Sequence, residues 1–92
     1  MAKPYHVYVL WSATARRFYI GVTEDVATRV QQHNDGVSRW TKGKGPWEVV
    51  WAREFSGLGP ARKFENLLKR QKGGAGFYRM TGLCREDLPG SS

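Results

Sequence analysis

The chain has 92 residues, 40% hydrophobic and 25% charged, and its 15 Lys and Arg outweigh eight Asp and Glu to give a net charge of +7. That balance argues against disorder and for one small globular domain over 1–92, with its core at about 5–84 and a tail at 85–92. The single cysteine, Cys84, excludes an internal disulfide and a cysteine-rich metal site; no apolar run reaches the roughly 20 residues of a membrane span, and no signal-peptide pattern opens the chain.

A reducing, cytoplasmic setting is the natural expectation, and strong positive charge draws a small domain toward phosphate polymers. In chain order, residues 5–21 (YHVYVLWSATARRFYIG) hold two apolar runs around a polar turn. Tyr5, Val7 and Val9 alternate with His6, Tyr8 and Leu10, which is the period of a strand. FYIGV reads as its hairpin partner, which brings Tyr8 near Tyr19 and marks Gly21 as a point of close backbone approach. His6 is expected on the exposed face. Thr23 then reads as the cap of a helix over 24–35, with Val26, Ala27 and Val30 inward, Arg29 and His33 along one edge, and Asn34-Asp35-Gly36 as its stop.

Residues 36–46 (GVSRWTKGKGP) form a loop in which Arg39, Lys42 and Lys44 sit among glycines around Trp40. Cations interleaved with an aromatic on flexible backbone suit phosphate contacts and base stacking; a solvated basic loop with Trp40 turned inward explains the pattern equally well. WEVVWAREF (47–55) is a third strand, with Val49, Trp51 and Arg53 on one face. Pro60 opens a second helix whose buried stripe is expected to be Phe64, Leu67, Leu68 and Gln71, ending at Gly73-Gly74. Residues 75–88 suit a short helix or an extended cover. The order β-β-α-β-α plus a C-terminal segment predicts an α+β (mixed α/β) fold, a small three-stranded sheet flanked by helices. The helical link between the second and third strands predicts that those two run parallel.

The paired tyrosines in Val7-Tyr8-Val9 and Tyr19-Ile20-Gly21 resemble the signature of the GIY-YIG nuclease superfamily, without the glycine of its first half. The resemblance extends over residues 5–72. Arg29, His33-Asn34, Glu65 and Lys69 match the family's order, and the stretch through KGKGPWEVVW is similar to the nuclease module of structure-specific DNA endonucleases and to small stand-alone members. It implies a catalytic set of Tyr8, Tyr19, Arg29, His33 and Glu65, with Glu65 as the metal ligand. The family's later asparagine has no counterpart in residues 75–92.

That resemblance implies a metal-dependent endonuclease-like hydrolase of DNA with little sequence specificity. A single carboxylate meets the minimum for one Mg2+ (or Mn2+), since waters and substrate phosphate fill the remaining positions. Arg29 is suited to grip a phosphate bidentately. Arg39, Trp40, Lys42, Lys44 and Lys69 are the expected nucleic-acid contacts. Tyr8 or His33 takes the water's proton; an ordinary tyrosine titrates near 10, so nearby cations would have to favour its phenolate. The plainer alternative pairs Glu65 with Arg62 or Lys69 and Arg29 with Asp25, leaving a non-catalytic nucleic-acid binding module with the same fold. DNA or RNA, its preferred structure, and a protein partner are left open.

Overall fold

A computed structural model describes residues 3–37, 41–72 and 74–89. β1 (Tyr5–Ser12) and β2 (Arg17–Thr23) pair antiparallel from His6 opposite Thr23 to Ser12 opposite Arg17. Ser12 closes the turn: its carbonyl accepts the Arg16 N–H at 2.7 Å and its hydroxyl accepts the Ala15 N–H at 3.0 Å. The same hydroxyl donates to the Lys44 carbonyl at 2.5 Å, which ties the hairpin turn to the loop before the third strand.

β3 (Glu48–Phe55) lies antiparallel along the other side of β1, so the sheet order is β2-β1-β3. β2 and β3 do run in the same direction, but β1 separates them and they are not a hydrogen-bonded pair. The register slips between Val9, opposite Trp51, and Leu10, opposite Val49. This bulge breaks the expected face of Val49, Trp51 and Arg53. Val50 and Trp51 both pack against the cluster of Val7 and Val9, while Val49 moves opposite Leu10.

Strand alternation sorts the core into two layers. Val7, Val9, Trp11, Phe18 and Ile20 face Ala61, Leu68, Phe77 and Leu88. Tyr8, Leu10 and Trp47 face the other way, with Tyr19, Val26 and Val30 packed on them. Thus α1 (Val26–Asn34) covers one face, and α2 (Leu58–Arg70) and α3 (Ala75–Thr81) cover the other.

The cap of α1 is Asp25, not Thr23: its carboxylate accepts the Thr28 N–H at 3.1 Å and the Thr28 hydroxyl at 2.8 Å. Thr23 sits two residues earlier, and its hydroxyl accepts the Asp25 N–H at 3.2 Å. In α2 the buried positions are Ala61, Glu65 and Leu68, whereas Leu67 is 45% exposed and Gln71 lies past the last turn. Spacing by four and three aligns those buried positions, so an acid occupies a place that packing alone would give to an apolar residue. His6 is half-buried opposite Glu54, with Nε2 3.7 Å from its carboxylate, rather than exposed.

Packed structure continues past residue 84. After a 3₁₀ turn at Arg85–Asp87, Leu88 is buried in the larger cluster and the Trp11 indole N–H donates to the Pro89 carbonyl at 2.7 Å.

Candidate active site

The site starts from a cross-strand pair. Tyr8 stands opposite Gly21, and its ring crosses the bare backbone there: a Cβ on Gly21 would lie 2.5 Å from the phenol oxygen and 2.7 Å from Cζ. Only glycine leaves room for the ring. Because β2 is an edge strand, this carries the Tyr8 hydroxyl toward the free edge of the sheet. Tyr19 comes from the same face of β2, its ring centroid 6.2 Å from that of Tyr8 and 4.5 Å from that of His33.

His33 lies in the last turn of α1 and is 1% exposed. Its Nε2 is 3.1 Å from the Tyr8 hydroxyl and its Nδ1 is 2.7 Å from the Thr41 hydroxyl. Burial, with Arg29 nearby, pushes the imidazole down to about 4, so it is neutral at neutral pH. Burial and the neighbouring Tyr19 push the Tyr8 phenol up to about 12, against the pull of Arg29. The expected stabilisation of a phenolate by nearby cations therefore does not prevail in the resting site: desolvation outweighs it. A neutral phenol donates, so Tyr8 O–H points to Nε2, and the remaining ring proton on Nδ1 donates to the Thr41 oxygen. The result is a buried chain Tyr8–His33–Thr41.

Arg29 sits one turn before His33 and donates to the Gln32 side-chain oxygen at 2.9 Å. Asp25, its anticipated partner, is occupied with Thr28. Asn34 does more than stop the helix. Its side chain accepts the Trp47 N–H at 2.6 Å and donates to the Trp47 carbonyl at 3.1 Å, clamping α1 to the entry of β3. Trp47 in turn donates its indole N–H to the Thr41 carbonyl at 3.1 Å, which fixes the residue that holds His33.

Glu65 is 3% exposed, with Oε1 3.4 Å from Arg62 and Oε2 3.2 Å from Lys69. It belongs to a helix on the other sheet face, yet its charge raises the Tyr8 phenol and so lies within electrostatic reach of it. The two faces meet around the free edge of β2. A cleft of about 380 Å³ runs there, lined by Tyr19, Thr41 and Trp47 from one side and Ile20, Lys69 and Lys72 from the other. Among the described residues no three His, Cys, Asp or Glu side chains cluster as metal ligands. The donor set fits a one-carboxylate site: Glu65 is a hard oxygen ligand held in place by packing, and its two cationic partners are half-exposed side chains able to swing away.

Of the residues expected to contact nucleic acid, Lys44 and Lys69 line this cleft. Lys42 does not. It is exposed, and its stem runs past Gly36, 3.5 Å from where a Cβ would stand. Arg39 and Trp40 lie outside the described residues. Sequence reasoning missed Thr41, Trp47, Arg17 and Lys72, all of which line the cleft. Lys72 lies just past α2, in the run of cations Lys69, Arg70 and Lys72 that the sequence does display; the parts played by Thr41 and Trp47 arise from tertiary contacts.

Residues 4–77 match the model of the GIY-YIG catalytic domain. The chain is 47% identical over 51 residues to the human structure-specific endonuclease subunit SLX1, covering 48% of this chain and 18% of that protein. It is 36% identical over 66 residues to a UPF0213 protein of Nitratidesulfovibrio vulgaris, covering 71% of this chain and 59% of the other. A UPF0213 protein of Vibrio cholerae is 32% identical over 89 residues, covering 95% and 87%. The chain thus spans less than two thirds of the first two relatives and most of the third.

Proposed function

The chain belongs to the GIY-YIG catalytic-domain family, and on that premise we propose that it is a divalent-metal-dependent endonuclease that hydrolyses DNA phosphodiesters with little sequence preference. The observation that carries the reading is the carboxylate of Glu65, buried in an apolar stripe beside a cation-lined cleft and felt by the Tyr8 phenol. Burying an acid is costly, and a fold that only needed packing would place leucine there.

Glu65 would hold one Mg2+ or Mn2+. Such an ion, when bound, polarises the phosphate and offsets charge on the leaving oxygen. Arg29 grips a non-bridging phosphate oxygen. Tyr8 accepts the proton of the attacking water at its phenol oxygen as its own proton passes to Nε2 of His33. Thr41 holds the opposite ring nitrogen, so the imidazole keeps its acceptor aimed at Tyr8. An imidazolium is disfavoured here by burial and by Arg29. A substrate phosphate that draws on the Arg29 charge lessens that penalty. Lys44 and Lys69 contact the backbone along the cleft, and Tyr19 orients water or phosphate.

The test is cleavage of single-stranded, duplex and branched DNA with Mg2+, by wild type and by Glu65→Ala, with and without chelator. Cutting that the chelator and the variant both abolish supports the proposal; cutting that persists in Glu65→Ala sinks it. A non-catalytic binding module is the second reading, favoured by the pairing of both Glu65 oxygens with cations. Equal DNA binding by both proteins with no cutting by either would select it.

A further inference from the structure

A second cleft of about 300 Å³ lies at the hairpin turn, and the mechanism makes no use of it. Arg16, Arg17, Lys72 and Arg85 line it together with Trp11 and Tyr78. These residues come from the β1–β2 turn, the end of α2, α3 and the final 3₁₀ turn, so four distant stretches converge there. No acid lines it among the described residues: Glu86 and Asp87, on the same turn as Arg85, are exposed elsewhere. None of the four cations forms an ion pair with a described residue, whereas Arg62 and Lys69 on the preceding helix α2 are both paired with Glu65. Arg16 adopts a left-handed backbone, φ 54°, in this turn. Mutual repulsion shows at Lys72, whose ammonium is lowered by burial and by Arg17 and Lys69.

Four unneutralised cations in one concavity are electrostatically costly unless an anion enters. The aromatic floor narrows the class of that anion. Trp11 is anchored through Pro89, and half-buried Tyr78 offers ring surface beside the guanidinium groups. Phosphate oxygens next to a flat π-face describe a nucleotide. Arg17, Phe18 and Lys72 line both this cleft and the one containing Tyr19, so the two are continuous along the end of β2.

We propose that this turn-side pocket is a second nucleotide subsite: it takes a phosphorylated nucleotide of the substrate strand outside the scissile step, with Arg16 and Arg85 on its phosphate and Tyr78 against its base. The proposal rests on the nuclease reading only for the identity of the strand. The subsite supplies affinity and strand direction rather than chemistry.

The probe is adenosine 3′,5′-bisphosphate, titrated into 15N-labelled full-length protein and followed at the Trp11 indole N–H. A short single-stranded oligonucleotide follows in a salt series. The test variants are Arg16→Asn, which keeps a residue tolerant of left-handed backbone, and Arg85→Ala, both on exposed positions. Wild type and Glu65→Ala are expected to show the same saturable shift. Each pocket variant is expected to weaken bisphosphate binding roughly tenfold. The double variant is expected to lower the oligonucleotide salt slope by about one to two. No saturable shift at Trp11 at millimolar bisphosphate overturns the subsite, and so does oligonucleotide binding by the double variant that matches wild type. Weakened oligonucleotide binding in the pocket variants, with no metal-dependent cutting by wild type, supports the subsite and overturns the nuclease instead.

Discussion

At the scale of single residues, the site turns on a missing side chain. Gly21 lets the Tyr8 ring cross β2, and a methyl group placed 2.5 Å from the phenol oxygen would force the ring away from His33. Gly21→Ala should therefore destabilise the fold by about 1–3 kcal/mol in urea unfolding and lower any cleavage rate more than it lowers DNA affinity. The two shifted groups also set pH limits of opposite sign. His33 falls from 6.5 to about 4 on folding, so the unfolded chain binds the extra proton, and stability present above pH 6.5 is lost as pH falls toward 4. Tyr8 rises from 10.0 to about 12, so stability present below pH 10 is lost as pH climbs toward 12. Urea unfolding against pH should show the acid limb in wild type and a shallower one in His33→Gln. Catalysis reads the same two groups. In the relay from water through Tyr8 to His33 the neutral pair is the active form, so the cleavage rate should be flat through neutrality and fall only as pH drops toward 4, where His33 takes up a proton. A rate that climbs roughly tenfold per pH unit through neutrality would instead require a phenolate formed by loss of the proton to solvent and would overturn the relay.

Among the elements, the contact between α1 and β3 carries the most consequence for the site. Asn34 satisfies both backbone groups of Trp47, and Trp47 steadies Thr41 behind His33. Asn34→Ala leaves a buried N–H and C=O unpaired and should cost about 1–3 kcal/mol, measurable by thermal unfolding, whereas Asp25→Ala should cost about 1 kcal/mol through its lost helix cap alone. How far these elements could be read beforehand depends on the range of the forces involved. The hairpin and α1 were legible because alternation and capping are local, and the Tyr8–Tyr19 approach follows directly from strand pairing. The cap was misplaced by two residues since Thr23 and Asp25 are both good caps, and only the Thr28 contacts decide between them. The bulge at Val50 left no mark in the alternation of β3. In α2 the helical period allowed either Leu67 or Glu65 inward, and hydrophobicity favoured the wrong one. The roles of Thr41 and Trp47 depend on a loop folding back over α1, which no local pattern encodes.

For the molecule as a whole, the sheet is thin and its free edge is where the two covered faces communicate. The Glu65 charge from the α2 layer is felt by the Tyr8 phenol of the α1 layer, and Lys69, which pairs with Glu65, lines the cleft at that edge together with Tyr19. A net charge of +7 makes any strand binding steeply dependent on salt, as expected when phosphate contacts dominate. The most direct measurement is the single-turnover rate of Mg2+-dependent DNA cleavage for wild type, Tyr8→Phe, Glu65→Gln and the double variant. If both side chains serve one site, each single change should cost about a hundredfold or more, and the double variant should be hardly slower than the worse of the two. Independent, multiplying losses, or a Glu65→Gln protein that cuts as fast as wild type, would contradict the account.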